Sequence, residues 1–91
     1  MPMNAPQCHI CGETMILQVE QDNSGYKSAV EVGIDDIRFK GELYWFQCPR
    51  CGKKTHPIRR DNCPDELGRI TTKEEAIWET KWLYLNFAEY E

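Results

Sequence analysis

The chain has 91 residues, of which 41% are apolar, and a formal net charge of −4. A chain of this length suits one domain, here residues 1–91, whose small core leaves a narrow margin of stability, so we expect a further stabilising element. No apolar run approaches the roughly 20 residues that span a bilayer, and the N-terminal residues resemble no signal peptide. We therefore expect a cytoplasmic protein with reduced thiols.

The first recognisable element is a cysteine turn, CHICG at residues 8–12, which recurs as CPRCG at residues 48–52. Two thiolates at this spacing can face one ion, and the glycine supplies the positive φ that closes the turn. The predicted ligands are Cys8, Cys11, Cys48 and Cys51. Four thiolates leave no position for water, so we expect one structural Zn2+ that contributes to folding. A rubredoxin-like iron electron carrier has paired turns of the same kind and is an alternative.

Residues 14–47 are predicted to form extended antiparallel β-arms between the two cysteine turns. TMILQVEQ, residues 14–21, is rich in β-formers, and the DNSG that follows it has turn composition. We predict YKSAVEV, residues 26–32, as the return strand. The next stretch, GIDDIRFKGE, is compatible with either a turn or a short edge strand.

The strand LYWFQC, residues 43–48, is predicted to run directly into the second cysteine turn. Alternate residues of a strand point to opposite faces, so at least one of its three aromatic side chains should be buried. The fold class predicted is a small α+β zinc ribbon with about three strands and a C-terminal helix.

Residues 53–71 are predicted to be a loop without regular structure, because they include Pro57 and Pro64. Cys63 in this loop has no partner in the sequence and is interpreted as a spare thiol. His9 and His56 are interpreted as spacers rather than ligands, since four thiolates already complete a site.

A basic island lies around the second cysteine turn, where residues 48–60 carry five cations and no anion. An aromatic side chain of the preceding strand could stack on a base while these cations contact phosphate, as in single-strand binders. The preferred interpretation is a solvated rim that offsets the negative charge of four thiolates on one metal. The cations concerned are Arg50, Lys53, Lys54, Arg59 and Arg60.

The C-terminal helix is predicted over residues 72–88, because Thr72 and Glu75 form a capping box and acidic residues fill the first turn. Its apolar stripe should pack on the sheet and consists of Ala76, Ile77, Leu83, Tyr84 and Phe87. Three apolar residues fall outside that stripe, Trp78, Trp82 and Leu85. Two interpretations are open: these side chains shield the sheet or the cysteine turns, or they form a surface that docks on a partner or on a second copy of the chain.

The order of these motifs resembles the restriction alleviation (Lar-like) family of small bacterial and phage zinc-ribbon proteins. The resemblance spans residues 7–82 and rests on CHICG, YWFQCPRCG and TTKEEAIWETKW. The matching residues are Cys8, Cys11, Cys48, Cys51, Thr72, Glu75, Ala76, Ile77 and Trp82. The resemblance implies a non-enzymatic modulator that binds a host restriction-modification or other defence enzyme.

Three classes of function therefore remain open from the sequence. The first is a protein-interaction module, the second a nucleic-acid-binding zinc ribbon, and the third an iron electron carrier. We do not expect an enzyme, because the sequence shows no nucleophile beside a base, no open metal position and no phosphate-binding glycine loop.

Overall fold

The structure is a computed structural model that describes residues 5–87. Its strands are β1 (Ile16–Asp22), β2 (Gly41–Gln47) and β3 (Ile58–Asp61), and its helices are α1 (Ser24–Glu31) and α2 (Lys73–Phe87), with a 3-10 turn at Ile37–Phe39. The strands form an antiparallel sheet in the order β1-β2-β3. The predicted fold class, a small α+β domain with about three strands and a C-terminal helix, is confirmed.

The core lies between the sheet and α2, at the end of the domain that carries the cysteines. Phe46 of β2 and Tyr84 of α2 are buried together with Met15, Cys8 and Cys48. Because alternate residues share a face of a strand, Tyr44 lies on the same side as Phe46, and it too is buried. The expectation that the aromatic strand buries part of its side chains is confirmed.

The predicted return strand over residues 26–32 is wrong, since most of this stretch belongs to α1. The Asp22 carboxylate accepts hydrogen bonds from both the backbone N–H and the hydroxyl of Ser24, which turns the chain directly into the helix. The position beside β1 is taken by β2, with Leu17 opposite Phe46. The alternation of apolar residues does not predict a strand here. The segment forms a helix in which only Ala29 is buried.

The predicted structureless loop over residues 53–71 is also wrong in part, because it contains β3. This strand begins immediately after Pro57, a position where the missing N–H of proline does no harm to the ladder. Its four residues pair with Gly41–Tyr44 of β2. The strand is short and highly charged, and two of its carboxylate partners, Asp22 and Glu42, lie on other strands, so local composition does not reveal it.

Helix α2 starts as predicted. The Thr72 hydroxyl accepts the backbone N–H of Glu75 at 3.1 Å and lies 3.2 Å from the Glu75 carboxylate. The predicted end at residue 88 lies outside the described residues. Of the predicted stripe, Ala76 and Tyr84 are buried, whereas Phe87 remains 41% exposed.

A buried polar chain joins α2 to the sheet at Thr80, a residue absent from the predicted stripe. The backbone N–H of Phe46 donates to the Thr55 hydroxyl at 2.9 Å, and the Thr55 and Thr80 hydroxyl oxygens are 2.8 Å apart. The Thr80 hydroxyl in turn donates to the backbone carbonyl of His56. The Thr55 and Thr80 hydroxyls each accept one hydrogen bond and donate one, so both buried hydroxyls are satisfied.

Neither helix within residues 5–87 combines the length and the apolar character needed to cross a membrane.

Candidate metal centre

The two cysteine turns have the same backbone structure. In the first, the N–H of Gly12 donates to the carbonyl of Cys8 at 2.9 Å, and in the second the N–H of Gly52 donates to the carbonyl of Cys48 at 3.0 Å. Gly12 and Gly52 have φ values of 76° and 81°, which L side chains rarely adopt. The repeated sequence Cys-x-x-Cys-Gly thus produces a repeated loop.

The four predicted cysteines come together across these loops. The sulfur of Cys8 lies 3.4 Å from that of Cys51, and the sulfur of Cys11 lies 3.2 Å from that of Cys48. All four sulfurs lie within 4.8 Å of one another. These separations exceed the S–S bond length of about 2.05 Å, and all four thiols are free.

The sulfur cluster has the dimensions of a tetrahedral metal site. Four Zn–S bonds of about 2.3 Å at tetrahedral angles place sulfurs about 3.8 Å apart, within the range of separations found here. Backbone N–H groups of Ile10, Arg50 and Cys51 lie 3.4 Å from the sulfurs of Cys8 or Cys48. Such donors stabilise thiolates, so the residues present fit a metal held by sulfur alone.

The loops also adjust the acidity of the thiols. The pKa of Cys8 is lowered to about 6, chiefly because the backbone N–H of Cys11 donates to its sulfur, although burial acts in the opposite direction. The pKa of Cys48 is lowered in the same way by the backbone N–H of Cys51. The pKa values of Cys11 and Cys51 are raised: the backbone N–H groups of Glu13 and Lys53 lower them, but hydrogen bonding to the sulfurs of Cys48 and Cys8 outweighs this. The fold therefore favours two of the four sulfurs as thiolates, the form that binds metal.

Tyr84 of α2, predicted only as part of the apolar stripe, supports the first cysteine turn directly. The backbone N–H of His9 donates to the Tyr84 hydroxyl at 2.8 Å. The ring of His9 stacks on the ring of Tyr84 with centroids 4.2 Å apart. A tyrosine on an apolar helix stripe near a cysteine turn is the signal that could have indicated this contact, because a buried tyrosine hydroxyl needs a partner.

The remaining cysteine lies apart from this cluster. Among residues 5–87, the group of side chains able to hold a metal consists of the four predicted cysteines, without Cys63 and without either histidine. The Cys63 thiol faces the backbone carbonyl of Arg38 at 3.5 Å. Burial and the nearby carboxylate of Asp61 raise the pKa of Cys63, which disfavours the reactive thiolate.

The five cations of the basic island are not brought together on one surface. Arg59 and Arg60 are neighbours on β3 and so point to opposite faces of the sheet. The guanidinium of Arg59 pairs with the carboxylates of Asp22 and Asp61, and that of Arg60 pairs with Glu42. The other three cations have separate surroundings. The Arg50 guanidinium lies 3.6 Å from the Glu13 carboxylate, the Lys54 ammonium lies over the ring of Trp45, and Lys53 is partly buried.

The structure places the three predicted partner-binding residues on the exposed side of α2. Trp78, Trp82 and Leu85, which we call the Trp surface, are 53%, 41% and 52% exposed. The rings of Trp78 and Trp82 stack with centroids 6.2 Å apart. Each tryptophan lies two residues from buried Thr80, about 200° around the helix, so the Trp surface faces directly away from the sheet.

The sheet, the C-terminal helix and the four clustered cysteines define a small α+β domain consistent with a zinc ribbon. Comparisons with protein-family models, with curated proteins and with solved structures found no match for this chain.

Proposed function

We propose that this protein is a non-enzymatic interaction module in which a structural zinc ion fixes the helix that carries the Trp surface. The observation that carries the proposal is the pair of stacked, exposed tryptophans on the side of α2 opposite the sheet. Tryptophan is enriched where protein interfaces concentrate their binding energy. An apolar surface that no described element covers is typical of an interaction site.

The proposed metal is Zn2+, held by Cys8, Cys11, Cys48 and Cys51. Zinc is the usual ion in structural four-cysteine sites, where it supplies folding free energy. Metal analysis of the purified protein should find one zinc per chain in the wild type and in Cys63→Ser, and none in Cys8→Ser. A red preparation containing iron would favour the rubredoxin-like alternative.

Zinc would act on the Trp surface through Tyr84. When bound, the ion would hold the first cysteine turn in the conformation whose His9 N–H donates to the Tyr84 hydroxyl. Tyr84 is buried, and α2 is held a second time by the Thr80 hydroxyl. Both contacts keep the buried side of the helix on the sheet and so keep the Trp surface turned outwards.

The resemblance to the restriction alleviation family supplies the class of partner to test first, a subunit of a host restriction-modification or other defence enzyme. The protein should retain such a subunit in a pull-down from nuclease-treated bacterial lysate. The variant Trp78→Ala/Trp82→Ala should lose it, because truncating buried interface tryptophans typically costs 2 kcal/mol or more, about 30-fold in Kd.

A matched control is Val30→Ala/Val32→Ala, which removes exposed apolar side chains in and directly after α1. This variant should retain the partner. Retention of the partner by the tryptophan variant, or its equal loss from both variants, would contradict the assignment of the Trp surface. A partner retained from untreated lysate but not from nuclease-treated lysate would instead identify nucleic acid as the bridging component.

A further inference from the structure

We propose that the Trp surface binds a cationic amphipathic segment of another protein, one in which apolar side chains are flanked by lysine or arginine. This inference rests on the proposed function and adds the chemistry of the partner. A groove along the exposed side of α2 places three carboxylates beside the tryptophans. Its lining consists of Glu74, Glu75, Trp78, Glu79, Trp82 and Leu83.

The carboxylates of this acidic rim, Glu74, Glu75 and Glu79, lack cationic partners. Within residues 5–87, no lysine or arginine forms a salt bridge with any of the three. Glu75 receives a hydrogen bond from the Thr72 hydroxyl, and all three residues are exposed. The rim thus presents negative charge that no described lysine or arginine pairs with, and only the N-terminus of α2 offsets part of the charge of Glu74 and Glu75.

The acidic rim and the aromatic rings select the same kind of side chain. Trp78 and Trp82 stack on each other but remain 53% and 41% exposed, and the exposed part of an indole ring attracts the ammonium of lysine and, more often, the guanidinium of arginine. The carboxylates on either side can pair with the same cations. An apolar residue between two cations would cover the tryptophans, so an amphipathic helix with a basic border fits this groove.

The acidic rim also disfavours a second copy of the chain as the occupant. Packing α2 against α2 of another copy would bring two sets of three carboxylates together around the tryptophans. Each chain carries a net charge of −4, which adds to the repulsion. The salt dependence of the affinity therefore distinguishes the two occupants, because screening weakens binding to a cationic segment and strengthens association between like-charged copies.

The test uses the zinc-loaded full chain and a fluorescent helical peptide of leucine and lysine, with a matched peptide of leucine and glutamate. Fluorescence anisotropy should show binding of the lysine peptide only, weakened at about 0.5 M salt. The variant Glu74→Gln/Glu75→Gln/Glu79→Gln should lose about tenfold in affinity. Glutamine can still form the capping box with Thr72, but the variant loses the first-turn charges that favour the helix N-terminus, so circular dichroism must show an unchanged helix content.

The control variant Glu20→Gln/Glu31→Gln/Glu66→Gln removes the same charge at exposed positions outside α2. It should bind the lysine peptide within about twofold of the wild type. Equal loss in the two glutamine variants would show attraction to net charge alone and would overturn the inference. Binding of both peptides with equal affinity would overturn it as well.

The outcomes separate this inference from the proposed function. A partner that depends on the tryptophans in the pull-down, together with no binding of the lysine peptide, would overturn the cationic chemistry and leave the interaction module standing. Sedimentation of the wild type at rising salt tests the second copy. Dimers that grow with salt and vanish in Trp78→Ala/Trp82→Ala would assign the surface to self-association and overturn the inference.

Discussion

Tyr84 is the residue through which the metal centre and the C-terminal helix contact each other. Its hydroxyl accepts the backbone N–H of His9, in the middle of the first cysteine turn, and its side chain belongs to the buried cluster that includes Met15 and Phe46. The side chain is almost completely buried. Without the hydroxyl, the N–H of His9 would lose its partner next to a ring that excludes water.

We therefore expect Tyr84→Phe to lower the free energy of unfolding of the zinc-loaded protein by about 1–3 kcal/mol. The ring and its packing remain, so the loss reports the hydrogen bond. Urea unfolding followed by tryptophan fluorescence measures it. The matched control is Tyr26→Phe, which removes an exposed hydrogen bond to Asp35 and should change stability by less than about 0.5 kcal/mol. Equal effects in the two variants would contradict a supporting role for Tyr84.

At the scale of elements, α2 is held on the sheet by polar as well as apolar contacts. The hydroxyls of Thr55 and Thr80 form a buried chain from the backbone of β2 to the carbonyl of His56. Such a chain fixes the rotation of the helix, because a turn of the helix about its axis would leave buried hydroxyls without partners. The rotation of α2 decides which residues face outwards, so this chain also orients the Trp surface.

Thr80→Val keeps the shape of the side chain but removes the hydroxyl. The Thr55 hydroxyl then lacks an acceptor for its hydrogen, and the His56 carbonyl lacks the donor that Thr80 supplies. We expect a loss of about 1–3 kcal/mol in the free energy of unfolding. Thr71→Val, at an exposed position before the helix, should be close to neutral. The emission maximum of the tryptophans should move in Thr80→Val if the helix rotates, and thermal unfolding gives the stability. An unchanged stability would show that the hydroxyl chain does not hold the helix.

At the scale of the whole molecule, the metal centre joins segments that are distant in the sequence. Cys8 and Cys11 precede β1, whereas Cys48 and Cys51 follow β2, so one ion would close a loop of about 40 residues. The core is small, and most of its buried side chains lie around the cysteines. Removal of zinc should therefore unfold much of the domain rather than one loop.

We expect a chelator to abolish the cooperative thermal transition, and acid to release zinc. The thiols bind protons in the zinc-free state and none in the zinc-bound state, so the stability due to zinc rises with pH and falls on acidification. The lowered pKa values of Cys8 and Cys48 and the raised pKa values of Cys11 and Cys51 act in opposite directions, so the four thiols together determine the pH of release. A zinc indicator titrated against pH measures the release. Cys63→Ser should give the same curve as the wild type, and a shifted curve would place Cys63 in the site.

The elements whose causes are local could be predicted from the amino-acid sequence. The cysteine turns follow from Cys-x-x-Cys-Gly with glycine at positive φ, and the start of α2 follows from the Thr72 cap. The first and central strands follow from β-forming residues next to those turns. The spacing of the cysteines identified the four that lie together, whereas the helical wheel placed Trp78 and Trp82 off the apolar stripe and left open whether they shield the sheet or face outwards.

The features that depend on partners far along the chain could not be predicted from the sequence and follow from the tertiary contacts. Residues 26–32 alternate like a strand, yet most of them form α1, because β2 occupies the place beside β1. The short strand β3 is stabilised by pairing with β2 and by carboxylates on other strands. Thr80 and Tyr84 acquire their roles from Thr55 and His9, which are 25 and 75 residues away. The division of the basic island between two faces likewise follows from β3, since a pairing partner determines the face to which each side chain points.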